Sequence, residues 1–189
     1  MRTLLIGGAR SGKSSLAARW AGERSSEVCC VVTGKATDPE MAERIAAHRS
    51  ERPAHWKTWE EPVRLAHVMA QAGTAGPAVA AAAGAGAPGP VWLVDCLTLW
   101  VANCLWPSEA GPDVQGWRQE RDAFITALRG FSGDVILVTN EVGSGIVPNN
   151  AAARLFCDEH GWMNQAVAAV CDEVFLIAAG LPLRMKPAG

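Results

Sequence analysis

The sequence predicts an α/β protein built on a mostly parallel sheet flanked by helices, and three observations carry that expectation. The apolar segments run continuously instead of alternating, the pattern of strands covered on both faces. They alternate along the chain with segments of helical period, as in strands joined by crossover helices. A glycine-rich loop lies between the first strand and the first helix, where backbone amides can converge on phosphate.

Each element follows from its residues. Thr3–Ile6 is the first expected strand and Ser14–Glu23 the first helix. Val28–Thr33 is the second strand. Asp38-Pro39 opens a helix over Pro39–Arg49, because Asp caps free first-turn amides and Pro fits the first helical position. A helix over roughly Val63–Ala72 precedes residues 72–90, where nine Ala, five Gly and three Pro predict a flexible surface insertion. Val91–Val94 is the third strand, followed by helices Leu97–Leu105 and Trp117–Leu128 and by the strand Val135–Thr139. Pro148 introduces a helix pair, about Asn150–His160 and Trp162–Cys171, before a strand over Glu173–Ala178. Gly180-Leu181-Pro182 marks a turn into a short edge strand, Leu183–Lys186, read as antiparallel.

Composition bounds the function. At 189 residues, 49% apolar and 19% charged, the chain reads as one globular catalytic domain spanning residues 1–189. A net charge of −2 offers no general footprint for nucleic acid or an anionic membrane. No apolar run approaches the ~18–20 residues of a membrane span. The six cysteines form no C-x-x-C pair and read as small core residues, which suits a reducing cytoplasm. There is no Tyr, so a nucleophile or acid has to be another side chain.

The chemistry starts at Gly7-Gly8-Ala9-Arg10-Ser11-Gly12-Lys13-Ser14, which matches G-x-x-x-x-G-K-[ST]. The glycines let the backbone wrap so that successive N–H groups face phosphate oxygens, and the following helix adds its positive end. Lys13 can reach the β and γ phosphates, and Ser14 can place its hydroxyl on Mg²⁺. Asp95, at the end of the Val91 strand, is a second expected metal ligand, although Asp also suits the N-cap of the helix that follows. His48 shares a helix face with Met41 and Ile45, and Arg49 and Arg52 follow it. It is either a core-edge histidine or one aimed at phosphate among arginines. His55, His67 and His160 read as structural or surface residues. Val138-Thr139-Asn140-Glu141-Val142-Gly143 ends a strand in a polar cluster, with loop capping the plain role for Asn140 and Glu141. Ligands of open parallel sheets bind at the carboxyl ends of the strands, so Gly7–Ser14, Thr33–Lys35 (with Gly34), Asp95 and Thr139–Glu141 are expected to line one cleft.

These motifs, with His48-Arg49-Ser50-Glu51-Arg52-Pro53 and the run Thr139-Asn140-Glu141-Val142-Gly143-Ser144-Gly145-Ile146-Val147-Pro148, resemble the bifunctional adenosylcobinamide kinase/adenosylcobinamide-phosphate guanylyltransferase family. The resemblance extends from Leu4 to Lys186, and the main departure is the 72–90 insertion. It implies a RecA-like P-loop NTPase fold and a homotrimer. It also implies two reactions with GTP and ATP as nucleotide substrates and Mg²⁺ as cofactor. Adenosylcobinamide is phosphorylated first, and GMP from GTP is then transferred to that phosphate through a guanylyl-histidine. The residue matching that histidine is His48, and similarity suggests nucleotide contacts at Thr33, Gly34, Arg49, Arg52 and Glu60. A neutral imidazole is a competent nucleophile at neutral pH, which fits that role. The alternatives are a simple P-loop kinase of a small metabolite, with His48 structural, and a nucleotide-dependent switch.

Overall fold

The structure, a computed structural model, describes residues 1–36, 38–50, 52–82 and 89–186; for Arg44, His48 and residues 74–82 it describes the backbone alone. Seven strands form one sheet in the order β3-β2-β4-β5-β1-β6-β7. They are β1 (Arg2–Gly7), β2 (Val28–Val32), β3 (Lys57–Glu60), β4 (Val91–Asp95), β5 (Asp134–Asn140), β6 (Glu173–Ala178) and β7 (Leu181–Lys186). β1 to β6 pair in parallel, and β7 returns antiparallel beside β6. The helices are α1 (Lys13–Arg24), α2 (Pro39–Ser50), α3 (Leu65–Ala82), α4 (Leu97–Leu105), α5 (Val114–Gly130) and α6 (Ala151–Val170).

The continuous apolar strands are buried on both faces, as expected. On one face Leu5, Ile136 and Val138 pack with Leu16, Ala17 and Ala21 of α1. On the other, Leu4, Val94 and Leu137 pack with residues of α3, α4, α5 and α6, including the fully buried Trp100, Trp117 and Phe124. The two layers leave the carboxyl ends of β1, β2, β4 and β5 side by side at one edge of the sheet.

The structure departs from expectation at one strand and two helices. β3 is an unexpected strand, because all four of its residues are exposed and no apolar run marks it. α3 runs on to Ala82, so the first part of the 72–90 segment is helix and not a flexible insertion. Alanine is the best helix former, and Ala72 is buried while a Cβ at Gly73 would stand 3.7 Å from Phe131. Residues 83–88 of that segment lie outside the described residues. The last helix opens at Asn150, as expected after Pro148, and the Asn150 side chain accepts from the amides of Ala152 (2.8 Å) and Ala153 (3.1 Å).

The expected helix pair is one helix, α6, running through Gly161. Glycine lowers helix stability without forbidding the conformation, and the buried side Met163, Val167 continues past it. A Cβ added at Gly161 would meet nothing within 4 Å. Gly161→Ala is therefore expected to raise the unfolding free energy by about 0.5–1 kcal/mol in a urea titration. A loss of stability would mean that the glycine serves a contact the helix geometry does not reveal.

Candidate active site

The phosphate loop is wound by its left-handed residues. Arg10 has φ 58° and Gly12 φ 90°. The turn between β6 and β7 buttresses it, with the Gly180 amide donating to the Ser11 carbonyl at 2.8 Å. A side chain at Gly7 would put its Cβ 2.5 Å from the Ile177 carbonyl oxygen of the neighbouring strand, so only glycine lets the loop leave β1 there. Gly8, Ala9 and Arg10 are exposed at the loop tip. Ser11 Oγ is buried and is the one such side-chain oxygen or nitrogen among the described residues with no hydrogen-bond partner.

Lys13 begins α1 and is 8% exposed. Its ammonium donates to the Gly8 carbonyl at 3.1 Å, folding back across the loop. Burial lowers its pKa from the ordinary lysine value, with the nearby Cys96 and Asp95 opposing that effect. Ser14 Oγ lies 3.3 Å from Asp95 Oδ1. Asp95 is not the cap of α4: that position is Cys96, and no side-chain hydrogen bond caps the helix. The carboxylate instead has Arg52 at 3.5 Å, and both side chains are largely buried.

Thr33, fully buried, locks the ends of β2 and β4 together. Its hydroxyl donates to the Cys96 carbonyl at 2.6 Å and accepts from the Cys96 amide at 3.1 Å. Asn103 donates to the Thr33 carbonyl at 2.8 Å. Thr33 is thus a structural clasp at the cleft. Gly34 sits under α2, where an added Cβ would come 3.3 Å from Ile45 Cδ1. Lys35 is exposed beyond it.

Asp38 caps α2 as the sequence indicated, accepting from the Met41 amide at 2.8 Å. The side chain of His48 lies outside the described residues, but its backbone is in the last turn of α2. Ile45 on Gly34 and Arg52 on Asp95 anchor the chain on either side of it. Arg49 and Glu60 meet at the exposed rim, 3.9 Å apart. Below Asp95 a cavity of about 490 Å³ opens between α1 and the stretch after α2, with Ser14 and Arg52 among its polar lining and Ala18, Trp56 and Leu93 among its apolar lining.

The structure therefore gathers Gly7–Ser14, Asp95 and Arg52, sets Thr33 and Gly34 beside them, and leaves Lys35 and the Arg49–Glu60 pair at the surface. The Arg52–Asp95 pair and the Trp56 wall had no local signal, since the partners are 43 and 39 residues from Asp95 (95 − 52 and 95 − 56).

A buried polar network stands behind the end of β5. His160, expected to be structural or at the surface, is fully buried. Its Nε2 lies 3.3 Å from Thr139 Oγ1 and 3.2 Å from Thr98 Oγ1, and its Nδ1 is 3.4 Å from Asn164 Nδ2. Thr139 donates to Asn164 Oδ1 at 2.8 Å. A neutral imidazole with its proton on Nε2 shares that one N–H between the two threonine oxygens, while Nδ1 accepts from the Asn164 amide.

Burial lowers the His160 pKa from 6.5 to about 4, with the Glu141 charge acting the other way. The unfolded chain then binds more protons between those two values. Stability is expected to fall as pH drops from about 6.5 towards 4 and this contribution to level off below, amounting to about 3 kcal/mol. Urea unfolding across that window checks it. His160→Gln should flatten the slope, and an unchanged slope would remove His160 as its source.

Comparison with known proteins agrees with this geometry. A family described as cobinamide kinase / cobinamide phosphate guanyltransferase matches residues 3–185. The bifunctional adenosylcobalamin biosynthesis protein CobP of Pseudomonas aeruginosa is 44% identical over 186 residues, covering 98% of both chains. The bifunctional adenosylcobalamin biosynthesis protein CobU of Escherichia coli is 36% identical, over 98% of this chain and 100% of that one. Among solved structures, an ATPase of the type III secretion system of pathogenic bacteria aligns at TM-score 0.55 and 14% identity, over 97% of this chain and 56% of its own. The RadB recombinase aligns at TM-score 0.50 and 17% identity, over 93% and 73%. The fold is thus that of P-loop NTPases. With a family match over nearly its whole length, the chain belongs to the cobinamide kinase / cobinamide phosphate guanyltransferase family.

Proposed function

We propose that this chain phosphorylates adenosylcobinamide with a nucleoside triphosphate, ATP or GTP, and then transfers GMP from GTP to the new phosphate, giving adenosylcobinamide-GDP. The observation that carries the reading is the meeting of Lys13, Ser14 and Asp95 at the phosphate loop of a chain with this family membership. Gly7 to Ser14 hold the triphosphate through backbone amides, and the buried Ser11 hydroxyl gains a partner when phosphate enters. Lys13 leaves the Gly8 carbonyl for the β and γ phosphates.

In the first step the substrate hydroxyl oxygen bonds to the γ-phosphorus. The β–γ bridging bond breaks, the nucleoside diphosphate leaves with its electron pair, and the hydroxyl proton passes to solvent. In the second step a ring nitrogen of neutral His48 bonds to the α-phosphorus of GTP and pyrophosphate leaves. The substrate phosphate then bonds to that phosphorus, the P–N bond breaks, and His48 is regenerated. The anchors of Ile45 on Gly34 and of Arg52 on Asp95 support this role by tethering the chain on both sides of His48 to the strand ends. Arg49, Arg52 and Glu60 are nucleotide contacts in the same reading, with Gly34 and Lys35 at the β2 end that the buried Thr33 clasps to β4.

Ser14 and Asp95 offer two hard oxygen donors 3.3 Å apart, a pairing that suits Mg²⁺ shared with phosphate oxygens. When bound, the ion neutralises charge on the phosphates and the leaving group. A single catalytic domain, a homotrimer and a cytoplasmic setting belong to this reading. Six free cysteines support the cytoplasm, and the exposed Leu181, Leu183 and Met185 of the edge strand supply uncovered apolar surface for an assembly.

The test is a product assay with adenosylcobinamide, Mg²⁺ and GTP, resolved by mass. Adenosylcobinamide-GDP and pyrophosphate are expected. Phosphorylated cobinamide without the GDP product would reduce the protein to a kinase, and no corrinoid product would overturn the reading.

A further inference from the structure

We propose that Asn140 is a catalytic residue of the phosphoryl-transfer step, donating from its carboxamide to the terminal phosphate between the phosphate loop and Asp95. The proposal rests on the kinase reading above.

β5 is the strand between the carboxylate strand β4 and the phosphate-loop strand β1. In register Asn140 is the partner of Gly7, and Asp95 is the partner of Val138. The end of β5 therefore rises between the two halves of the site. Thr139 turns its hydroxyl to His160 and Asn164, on the α6 side. Successive strand residues face opposite ways, so Asn140 belongs to the other face with Ile136 and Val138. That face packs on Leu16 and Ala17 of α1, whose first residues are Lys13 and Ser14. Asp95 shares it through Ser14.

The backbone of Asn140 is pinned at both of its polar groups. Its amide donates to Thr98 Oγ1 at 2.8 Å and its carbonyl accepts from Asn164 Nδ2 at 3.0 Å. The next amide, of Glu141, donates to the Gly7 carbonyl at 3.1 Å and ties β5 to the loop. Thr98, Asn164 and His160 are themselves buried and bonded to one another. The carboxamide of Asn140, by contrast, makes no hydrogen bond among the described residues. The adjacent Glu141 is committed to its own turn, accepting from the Gly143 amide at 2.6 Å and the Ser144 hydroxyl at 3.0 Å. So loop capping accounts for Glu141 and leaves Asn140 held in place with an unspent donor.

A neutral amide suits that position. It donates to phosphoryl oxygens as the terminal group moves from donor to acceptor, and it adds no negative charge beside Asp95. Asn140 makes and breaks no covalent bond. Thr98, Asn164 and His160 are positioning residues that act through it.

The experiment measures both cobinamide phosphorylation and intrinsic hydrolysis of the triphosphate, with nucleotide affinity determined separately. Asn140→Ala is expected to lower kcat in both assays by about 10- to 100-fold while nucleotide Kd changes less than about threefold. Asn140→Asp should be at least as slow, because its charge repels phosphate. Thr98→Val should lower kcat about 3- to 10-fold at unchanged KM, and Thr98→Ser should restore it. Thermal unfolding of each variant separates these effects from loss of fold. Wild-type kcat in Asn140→Ala, or a loss fully explained by Kd, would overturn the proposal. If the wild type hydrolyses triphosphate but never phosphorylates cobinamide, the functional reading fails; the hydrolysis arm then still decides the role of Asn140.

Discussion

Replacing Lys13 with alanine is expected to cut kcat/KM by at least about 100-fold in both the kinase and the guanylyl-transfer reactions. In the proposed mechanism each reaction binds its triphosphate at this loop and expels a charged group, so one ammonium would serve both. The fold should survive the change. Lys13 is buried with its pKa lowered by desolvation, which means that its charged form is less comfortable in the folded protein than in water. Removing it relieves that penalty and releases one hydrogen bond to the Gly8 carbonyl, which borders the exposed loop tip. The unfolding midpoint should therefore stay near that of the wild type while activity collapses. Parallel loss of midpoint and activity would make Lys13 a structural residue first. Loss of one reaction alone would mean that two separate phosphate sites operate.

Replacing His48 with alanine is expected to divide the two reactions. Guanylyl transfer should fall by at least about 1000-fold, because in the proposed mechanism this imidazole alone carries the covalent intermediate. Phosphorylation of cobinamide should stay within about threefold, since the hydroxyl attacks the γ-phosphorus directly and His48 forms no bond in that step. Steady-state assays of cobinamide phosphate from ATP and of the GDP product from pre-formed cobinamide phosphate read the two rates separately. Equal loss of both would contradict the division of labour. Kinase activity lost with transfer intact would reverse it.

The sheet was legible in the sequence wherever a strand is covered on both faces. Leu4 and Leu5, Leu93 and Val94, and Ile136 to Val138 are continuous apolar runs because each layer of helices buries one side of them. β3 was not legible, because Lys57, Thr58, Trp59 and Glu60 are all exposed at the sheet edge and burial leaves no imprint on them. The phosphate loop was legible because its residue pattern is contiguous, although the demand for glycine at Gly7 comes from Ile177 on a strand distant in sequence and only that at Gly12 from the local turn. The pairing of Arg52 with Asp95 was not, since it depends on where α2 lands.

The helix ends divide in the same way. Asp38 was readable as a cap because it acts on its immediate neighbours. Gly161 was misleading because a glycine does not end a helix whose buried side continues past it, and the stretch after Ala72 because its glycines and prolines outweighed its helix-forming alanines in the reading of composition. His160 looked peripheral from its place near a supposed helix end. It became a buried hub only once α6 ran unbroken and turned it onto Thr139 and Thr98. The polar run at the end of β5 was visible in full, yet only the structure separates Glu141, spent on its turn, from Asn140, held and free.

If GMP passes through a covalent bond to this chain, a labelling experiment detects it. The protein is incubated with Mg²⁺ and GTP carrying a labelled α-phosphate, then quenched and split between acid and base. The expected result is a label on the protein that is lost in acid, kept in base, absent in His48→Ala and discharged by adenosylcobinamide phosphate into the GDP product. A wild-type protein that makes the GDP product while never carrying label, or one whose label persists in His48→Ala, would contradict it.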